Sequence, residues 1–470
     1  MGSDATRGSM TGQPLTDIAG KRVLILGLGV AGRSALEACQ ELGAHAVSVD
    51  PHAAQADYAD LASVDVASFD LCMSSPGFAP HHPWVRAAQD AGVEVVSEME
   101  FAWRVRVPGI PWVLITGTNG KTTATQMTGA ILAAGGVDVA VCGNMGVPVI
   151  AAAREQRDAV AVEIASLQLH FTTTLSPHAA VCLNVDEDHL DWHGSVEAYR
   201  ADKARVYERV QVACVYGAQD PVTEAMVEGA DVVDGCRAVG VTLGAPGRSE
   251  LGVVEGVLAD RAFHDDRRSS AIELGEVDDL RHLVGGAVPP YLVFNALCAA
   301  ALARALGVRP EAVRDGLRGF ALDAHRTALV GTLDGVTWVD DSKATNAHAA
   351  IAAFGSQGPQ SVVWIAGGQA KGQEFDDLVA QVRGRVRAVV LIGEDPEPLA
   401  SALAGHAPDI PVTRIEPGET VMVRAVQAAR AAARPGDTVL LSPACASFDQ
   451  FRSYADRGDA FAEAVGALND

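Results

Sequence analysis

The stretch Ile115-Thr116-Gly117-Thr118-Asn119-Gly120-Lys121-Thr122-Thr123 decides how this chain is read. The apolar run Trp112-Val113-Leu114-Ile115 predicts a buried strand, and Thr122 to Ala134 predicts a helix. A glycine-bearing turn between the two exposes backbone N–H groups at a helix N-terminus, where the dipole favours anions. Such a turn suits a polyphosphate. Lys121 adds a cation for β- and γ-phosphates, and the Thr122 hydroxyl a ligand for Mg²⁺. The loop is shorter than G-x-x-x-x-G-K-[ST], because Ile115 stands where the first glycine would be.

Outward from this loop the chain reads as alternating strands and helices, which implies parallel sheets with crossover helices. Over 21–107 the strand candidates are Val23 to Leu28, Val47 to Asp50, Phe69 to Met73 and Val93 to Val96, with a helix from Ser34 to Leu42. Val107-Pro108-Gly109-Ile110-Pro111 stops both element types and marks a boundary. A second segment, 108–324, holds the phosphate loop, strands at Ala159 to Val162 and Ala180 to Val185, and helices at Val196 to Val210 and Phe294 to Leu306. Residues 210–285 mix Gly, Asp and Val without a clear period. A third segment, 325–470, predicts strands at Val336 to Val339, Val362 to Ala366, Val389 to Ile392 and Val439 to Leu441, and a helix from Val421 to Ala433. The expectation is three α/β domains, preceded by a Gly/Ser/Thr-rich disordered tail over 1–20.

Polar residues gather where these strands end, which is where ligands bind in α/β sheets. Gly27-Leu28-Gly29-Val30-Ala31-Gly32 lies between strand and helix, with Asp50 ending the next strand. This is a dinucleotide-binding fingerprint, open to NAD, a UDP-sugar, another nucleotide or a plain tight turn. Glu163 ends one central strand and Asn184-Val185-Asp186-Glu187-Asp188-His189 the next, so a carboxylate and an imidazole reach the edge that holds Thr122. That set suits a hard cation bridging phosphates. Lys203, taken alone, reads as a surface lysine. In the third segment Asp340-Asp341-Ser342-Lys343-Ala344-Thr345-Asn346, Gly367-Gly368-Gln369-Ala370-Lys371 and Ser442-Pro443-Ala444-Cys445-Ala446-Ser447 each follow a strand. Together they predict an edge that binds a small molecule bearing carboxylates.

Composition limits the alternatives. The chain has 470 residues, 49% of them hydrophobic, enough for several cores. With 59 acidic against 36 basic residues its net charge is −23, which argues against a nucleic-acid surface but not against a local anion site. The eight cysteines are scattered through apolar runs without C-x-x-C, so reduced thiols in a cytoplasmic protein are expected. No apolar run reaches the ~18 residues of a membrane span. Residues 1–12 lack the apolar core of a signal peptide.

Gly117-Thr118-Asn119-Gly120-Lys121-Thr122-Thr123, Asn184 to Asp191, Asp340 to Asn346 and Ser442 to Gly458 resemble motifs of the Mur ligases, ATP-dependent amide-bond-forming enzymes of cell-wall precursor synthesis. The likeness runs over nearly the whole chain from about residue 20. It implies an N-terminal Rossmann-like domain for a uridine nucleotide, a central P-loop ATPase-type domain for ATP and Mg²⁺ (two ions), and a C-terminal Rossmann-like domain for an amino acid. The two long C-terminal motifs resemble the branch that joins D-glutamate to UDP-N-acetylmuramoyl-L-alanine through an acyl phosphate, as a monomer, with sites on three domains brought together by closure.

Carried over by residue, the resemblance implies that Gly117, Thr118, Asn119, Gly120, Lys121, Thr122 and Thr123 bind the ATP phosphates. Thr122, Glu163, His189 and Lys203 would serve the metal sites, Lys203 as a carbamate. Arg326 would stabilise the transferring phosphoryl group, Asp341 hold the ribose, Asn295 the adenine, and Lys343 lie near the phosphates. Gly29, Asp50, Ser75, Gly77 and Asn144 would contact the UDP-sugar, and Thr345, Lys371, Ser447 and Tyr454 D-glutamate. Ala31, His52, Leu292 and Tyr454 depart from the pattern of related sequences. A nicotinamide oxidoreductase would leave Lys121, Glu163 and His189 unexplained, and a folate-type ligase gives no reason for the 442–451 motif. A nucleotide sensor need not keep Glu163, His189 and Lys203 together.

Overall fold

The computed structural model describes residues 18–143, 147–284, 287–321, 324–354 and 357–469. Three sheets carry the chain. The first holds β1 (Arg22–Leu26), β2 (His45–Val49), β3 (Leu71–Ser74) and β4 (Glu94–Ser97), all parallel, in the order β2-β1-β3-β4. The second holds β5 (Trp112–Thr116), β6 (Val139–Gly143), β7 (Ala159–Glu163), β8 (Ala179–Cys182), β9 (Ala213–Gly217), β10 (Arg237–Val241), β11 (Glu250–Val254), β12 (Val257–Asp260) and β13 (Ile272–Glu276). Its order is β13-β12-β11-β10-β9-β8-β5-β7-β6, with β11 and β12 antiparallel.

The third sheet holds β14 (Ala328–Leu333), β15 (Val336–Asp340), β16 (Val362–Gly367), β17 (Val386–Ile392), β18 (Val412–Arg414) and β19 (Thr438–Leu441). Its order is β14-β15-β19-β16-β17-β18, parallel apart from β14. Strands such as β5, β7, β8 and β16 are buried at every position, as sheets covered by helices on both faces require. Their sequences are correspondingly continuous apolar runs rather than alternating ones.

Two compact bodies result. One holds the chain to Gly275 together with Phe294–Leu317, and so the first sheet and nearly all of the second; the other holds Glu276–Val293 and the chain from Arg318 onward, with the third sheet. The expected break near 107 falls inside the first body, between its two sheets. There the acids and bases of the helix Glu98–Val105 tie the sheets together: Arg104 donates to Glu100 at 2.8 Å, to Glu94 at 2.8 Å and to Thr173 Oγ1 at 2.9 Å. Glu100, fully buried, accepts the backbone N–H groups of Thr173 at 2.9 Å and Thr174 at 3.0 Å.

Most expected elements stand within a few residues of their sequence limits. The strand expected to reach Val185 stops at Cys182, which frees Asn184 for the loop described below. The helix expected over 196–210 ends at Ala204 and tightens into a 3₁₀ turn over Arg205–Tyr207. Of the expected tail, residues 1–17 lie outside the described residues, while Ile18 is buried in the core beside β1. In the first turn, a Cβ on Gly32 would stand 1.8 Å from the Gly27 carbonyl oxygen, so the helix Val30–Glu41 approaches the strand end only without a side chain there.

Candidate active site

β5 runs into the helix Lys121–Ala134 through Gly117–Gly120, and Gly120 caps the helix at φ 82°. Both neighbouring strands end beside this loop. β7 pairs Glu163 with Ile115, and β8 pairs Cys182 with Thr116. Asn184, just past β8, clamps the loop from one side: its Oδ1 accepts from Asn119 N at 2.8 Å and its Nδ2 donates to Asn119 O at 3.0 Å. Its backbone carbonyl accepts from Thr118 N at 3.0 Å. The Thr118 hydroxyl sits 2.9 Å from Tyr199 Oη and accepts from Asp186 N at 2.9 Å. Lys121 Nζ donates to the carbonyls of Gly117 at 2.9 Å and Thr118 at 2.8 Å. Asn295 packs on the loop as well, its Nδ2 lying 2.9 Å from where a Cβ on Gly120 would be.

Glu163 is 3% exposed at the end of β7, and Thr122 is buried in the first helical turn. Lys203 is 2% exposed, against the surface position that its sequence context alone suggests, because the helix Val196–Ala204 turns it inward over Tyr199, 4.8 Å from the ring centroid. Burial, and next the charge of Lys121, push its amine down to about 7, with Cys182, Asp188 and Asp186 pulling the other way. Lys203 is thus a buried amine within electrostatic reach of Lys121 on the phosphate loop, its pKa drawn down toward neutral.

Its neighbour Asp202 accepts from Nδ1 of both His170 and His193 at 2.8 Å, and His193 Nε2 meets Ser166 Oγ at 3.0 Å. Burial raises the Asp202 carboxyl, but those two histidine bonds outweigh it and hold it below the usual range. His189 has φ 51° and a half-exposed side chain 3.6 Å from Asp188. Among the described residues no group of three or more His, Cys, Asp or Glu side chains converges as a metal cluster. The oxygen donors at the loop are instead the Thr122 hydroxyl and the buried Glu163 carboxylate, which suit a hard ion sharing its shell with phosphate.

In the first sheet the Asp50 carboxylate accepts from Leu28 N at 2.7 Å and from His52 N at 2.8 Å, which locks the glycine turn to the end of β2. The Leu28 bond is the main reason its carboxyl lies low. Ser75 Oγ donates to Gly27 O at 3.1 Å, while Gly29 and Gly77 face open space. Trp192 Nε1 donates to Pro76 O at 3.1 Å, joining the 184–193 segment to this turn. Asn144 lies outside the described residues.

In the second body β15, β19 and β16 are neighbours, so the loops after Asp340, Leu441 and Gly367 open on one edge. His325 Nδ1 meets Asp340 Oδ2 at 2.6 Å. Asp341 accepts from Ser442 Oγ at 2.8 Å and Thr327 N at 3.1 Å, yet burial pushes its carboxyl up to about 7. Arg457, fully buried, ties these loops together: it donates to Ser342 Oγ at 2.9 Å, Ser342 O at 2.8 Å and Cys445 O at 3.1 Å. Ser447 is buried and Thr345 half-buried at the same edge. Lys343 Nζ stands 5.5 Å from the Tyr454 ring and Lys371 Nζ 5.3 Å from that of Phe448, which is 66% exposed. Arg326 is half-buried between His325 and Thr327, both at positive φ.

Two family profiles match the chain, the Mur ligase middle domain over 115–303 and the Mur ligase, glutamate ligase domain over 325–445. A protein of Streptomyces avermitilis named UDP-N-acetylmuramoylalanine–D-glutamate ligase is 51% identical over 97% of this chain and 100% of its own length. The chain belongs to the Mur ligase family. A Mycolicibacterium smegmatis protein of the same name is 43% identical over 97% of this chain and 98% of its own. Among solved structures, a MurF ligase from Thermotoga maritima in complex with ADP shares the fold at TM-score 0.57 and 15% identity over 96% of both chains. E. coli FolC in complex with ADP does so at TM-score 0.54 and 20% identity over 79% of this chain and 92% of that one. In this Mur ligase, sequence reasoning missed Tyr199, Asp202, His170, His193, Arg457 and Phe448. Arg457 lies inside the quoted 442–458 motif, so its position was visible and its burial was not.

Proposed function

We propose that this Mur ligase joins D-glutamate to the L-alanine carboxylate of UDP-N-acetylmuramoyl-L-alanine with ATP hydrolysed to ADP and phosphate, in cell-wall precursor synthesis in the cytoplasm. The observation that carries this reading is the match over the whole chain to relatives bearing that name, at up to 51% identity. The loop geometry agrees: backbone N–H groups, Lys121 and Thr122 stand where a triphosphate would be gripped. An oxygen of the alanine carboxylate attacks the γ-phosphorus and ADP leaves. The amine of D-glutamate then adds to the acyl phosphate carbon, and collapse of the tetrahedral adduct expels phosphate and a proton.

Thr122 and Glu163 would hold Mg²⁺, with His189 and a carbamate on Lys203 completing its surroundings. The ion, when bound, supplies charge neutralisation for the phosphates. A carbamate forms from CO₂ and a neutral amine, and burial provides that amine at Lys203. Asn295 would lie at the nucleotide base, on the evidence of its packing against Gly120. Gly29, Asp50, Ser75 and Gly77 would take the uridine nucleotide, since they surround the glycine turn. Lys343, Thr345, Lys371, Ser447 and Tyr454 would hold D-glutamate. Arg326 and Asp341 keep the roles the resemblance implies. Phosphate release from ATP is expected only with both UDP-N-acetylmuramoyl-L-alanine and D-glutamate present. Equal turnover with L-alanine or a diamino acid in place of D-glutamate would overturn the assignment.

A further inference from the structure

The ligands considered so far all belong to the carboxyl ends of strands. The second sheet has a built feature at its opposite edge, in the stretch of sequence that read least clearly. Arg237, Phe263, His264, Arg267, Arg268 and Arg304 line a cleft of about 830 Å³. Val212, also in its wall, precedes β9, and Arg237 is the first residue of the parallel β10, so the cleft opens at the amino ends of these strands. The phosphate loop is at the far end.

The charges in this cleft are not balanced. Arg304 is spoken for: its Nε donates to Asp260 at 3.0 Å, and its other nitrogens donate to Val308 O at 2.6 Å and Phe263 O at 2.8 Å. Arg237 and Arg267 are arranged differently. Both donate to the same acceptor, the Ala262 carbonyl oxygen, at 2.9 Å and 3.2 Å. Two guanidinium groups sharing one neutral oxygen stand against each other. Among the described residues neither makes an ion pair with a carboxylate, nor does Arg268; the cleft's own free carboxylate is Asp265. Arg237 is also held 5.0 Å from the Phe263 ring centroid, which fixes its fork in place. Burial, and then the nearby charge of Arg267, lower its pKa below the usual range, outweighing the pull of Asp260, whose carboxylate is bonded to Arg304.

Although the chain carries a net charge of −23, none of its described carboxylates forms an ion pair with Arg237 or Arg267, and Asp265 at the cleft wall is set against three arginines besides the paired Arg304. Fixed forks with free donors match tetrahedral oxyanions, whose oxygens accept from two sides at once. We propose that this cleft binds a small phosphorylated dianion or polyanion, a phosphomonoester or pyrophosphate group, through Arg237 and Arg267, separately from the nucleotide loop. This rests on the cleft alone and stands or falls independently of the ligase assignment.

The test is calorimetric titration of the full chain with inorganic pyrophosphate in metal-free buffer, on the wild type, on Lys121→Ala and on Lys121→Ala carrying Arg237→Gln and Arg267→Gln. The Lys121→Ala variant removes the competing phosphate loop. The proposal expects it to keep one site, and the triple variant to bind at least about tenfold more weakly, with the same weakening on raising the salt. Arg267→Gln alone, which removes a single hydrogen bond and a like charge, provides the variant least able to unfold; it should weaken binding while its thermal melting stays at or above that of the wild type. Acetate should compete poorly. Loss of all binding in Lys121→Ala, unchanged binding in the triple variant, or acetate competing as well as pyrophosphate would each overturn the proposal.

Discussion

Gly458 sets two physical rules against each other, and the sign of one substitution decides between them. It lies inside the helix Tyr454–Gly466, where replacing glycine by alanine normally stabilises. Here the added Cβ would stand 2.0 Å from His325 Nδ1 and 2.6 Å from Asp340 Oδ2. Those atoms form the 2.6 Å bond that holds the 325–327 turn to the end of β15. The side chain of Asp340 is 4% exposed and that of His325 11%, so neither can retreat into water without rearranging the turn. Losing a hydrogen bond to a charged group costs about 1.5–3 kcal/mol, overpacking adds about 1–3, and the helix gains back about 1, for a net loss of about 2–5 kcal/mol in Gly458→Ala.

Denaturant unfolding of the wild type, Gly458→Ala, His325→Ala and the double variant measures this. The double variant should be more stable than the sum of the singles implies by at least about 1 kcal/mol, because removing the imidazole removes the clash. Because His325 precedes Arg326, turnover in Gly458→Ala should fall with stability. A Gly458→Ala protein as stable as the wild type, or additive effects in the cycle, would refute the packing argument.

Lys203 gives a pH-dependent counterpart. Its amine lies near 7 in the fold and at 10.5 in an ordinary lysine, so between these values the unfolded chain binds more protons and stability rises with pH. Lys203→Met should therefore be more stable than the wild type at pH 7, with the difference shrinking toward pH 10; parallel stability curves would contradict this. Arg457→Met should cost about 1–3 kcal/mol, since it leaves the buried carbonyls of Ser342 and Cys445 without that donor, and should raise the KM for D-glutamate more than that for ATP; equal changes in both would count against it. Cys236 is half-exposed and its thiol is lowered by the hydrogen bond from Cys214, whereas burial pushes Cys39, Cys72 and Cys142 up to about 12. Iodoacetamide on the native chain, read by peptide mass mapping, should label Cys236 first.

The sheets were legible because their strands are buried on both faces, and a continuous apolar run bounded by Gly and Pro has few other readings. The phosphate loop was legible for a related reason: its glycines, Lys121 and Thr122 are neighbours in sequence. Groups assembled from distant positions were not. Lys203 looks like any helical lysine until the fold turns it under Lys121 and Tyr199, and Asp202 gains two histidines 32 and 9 residues away. The stretch 210–285 hid β9 to β13 because its strands are short, partly exposed and joined by glycine turns, and β12 reverses the direction that the crossover pattern leads one to expect. The Arg237 cleft lies largely in that stretch, built from arginines spread over 237–304 with no local motif.

The proposed reaction requires the alanine carboxylate to be phosphorylated before the amide forms. UDP-N-acetylmuramoyl-L-alanine carrying ¹⁸O in its terminal carboxylate, incubated with ATP, Mg²⁺, D-glutamate and the enzyme, tests it by mass spectrometry of the released phosphate. One ¹⁸O is expected in each phosphate formed, carried over from the carboxylate when the amine displaces it. Amide product accompanied by phosphate without ¹⁸O would contradict it.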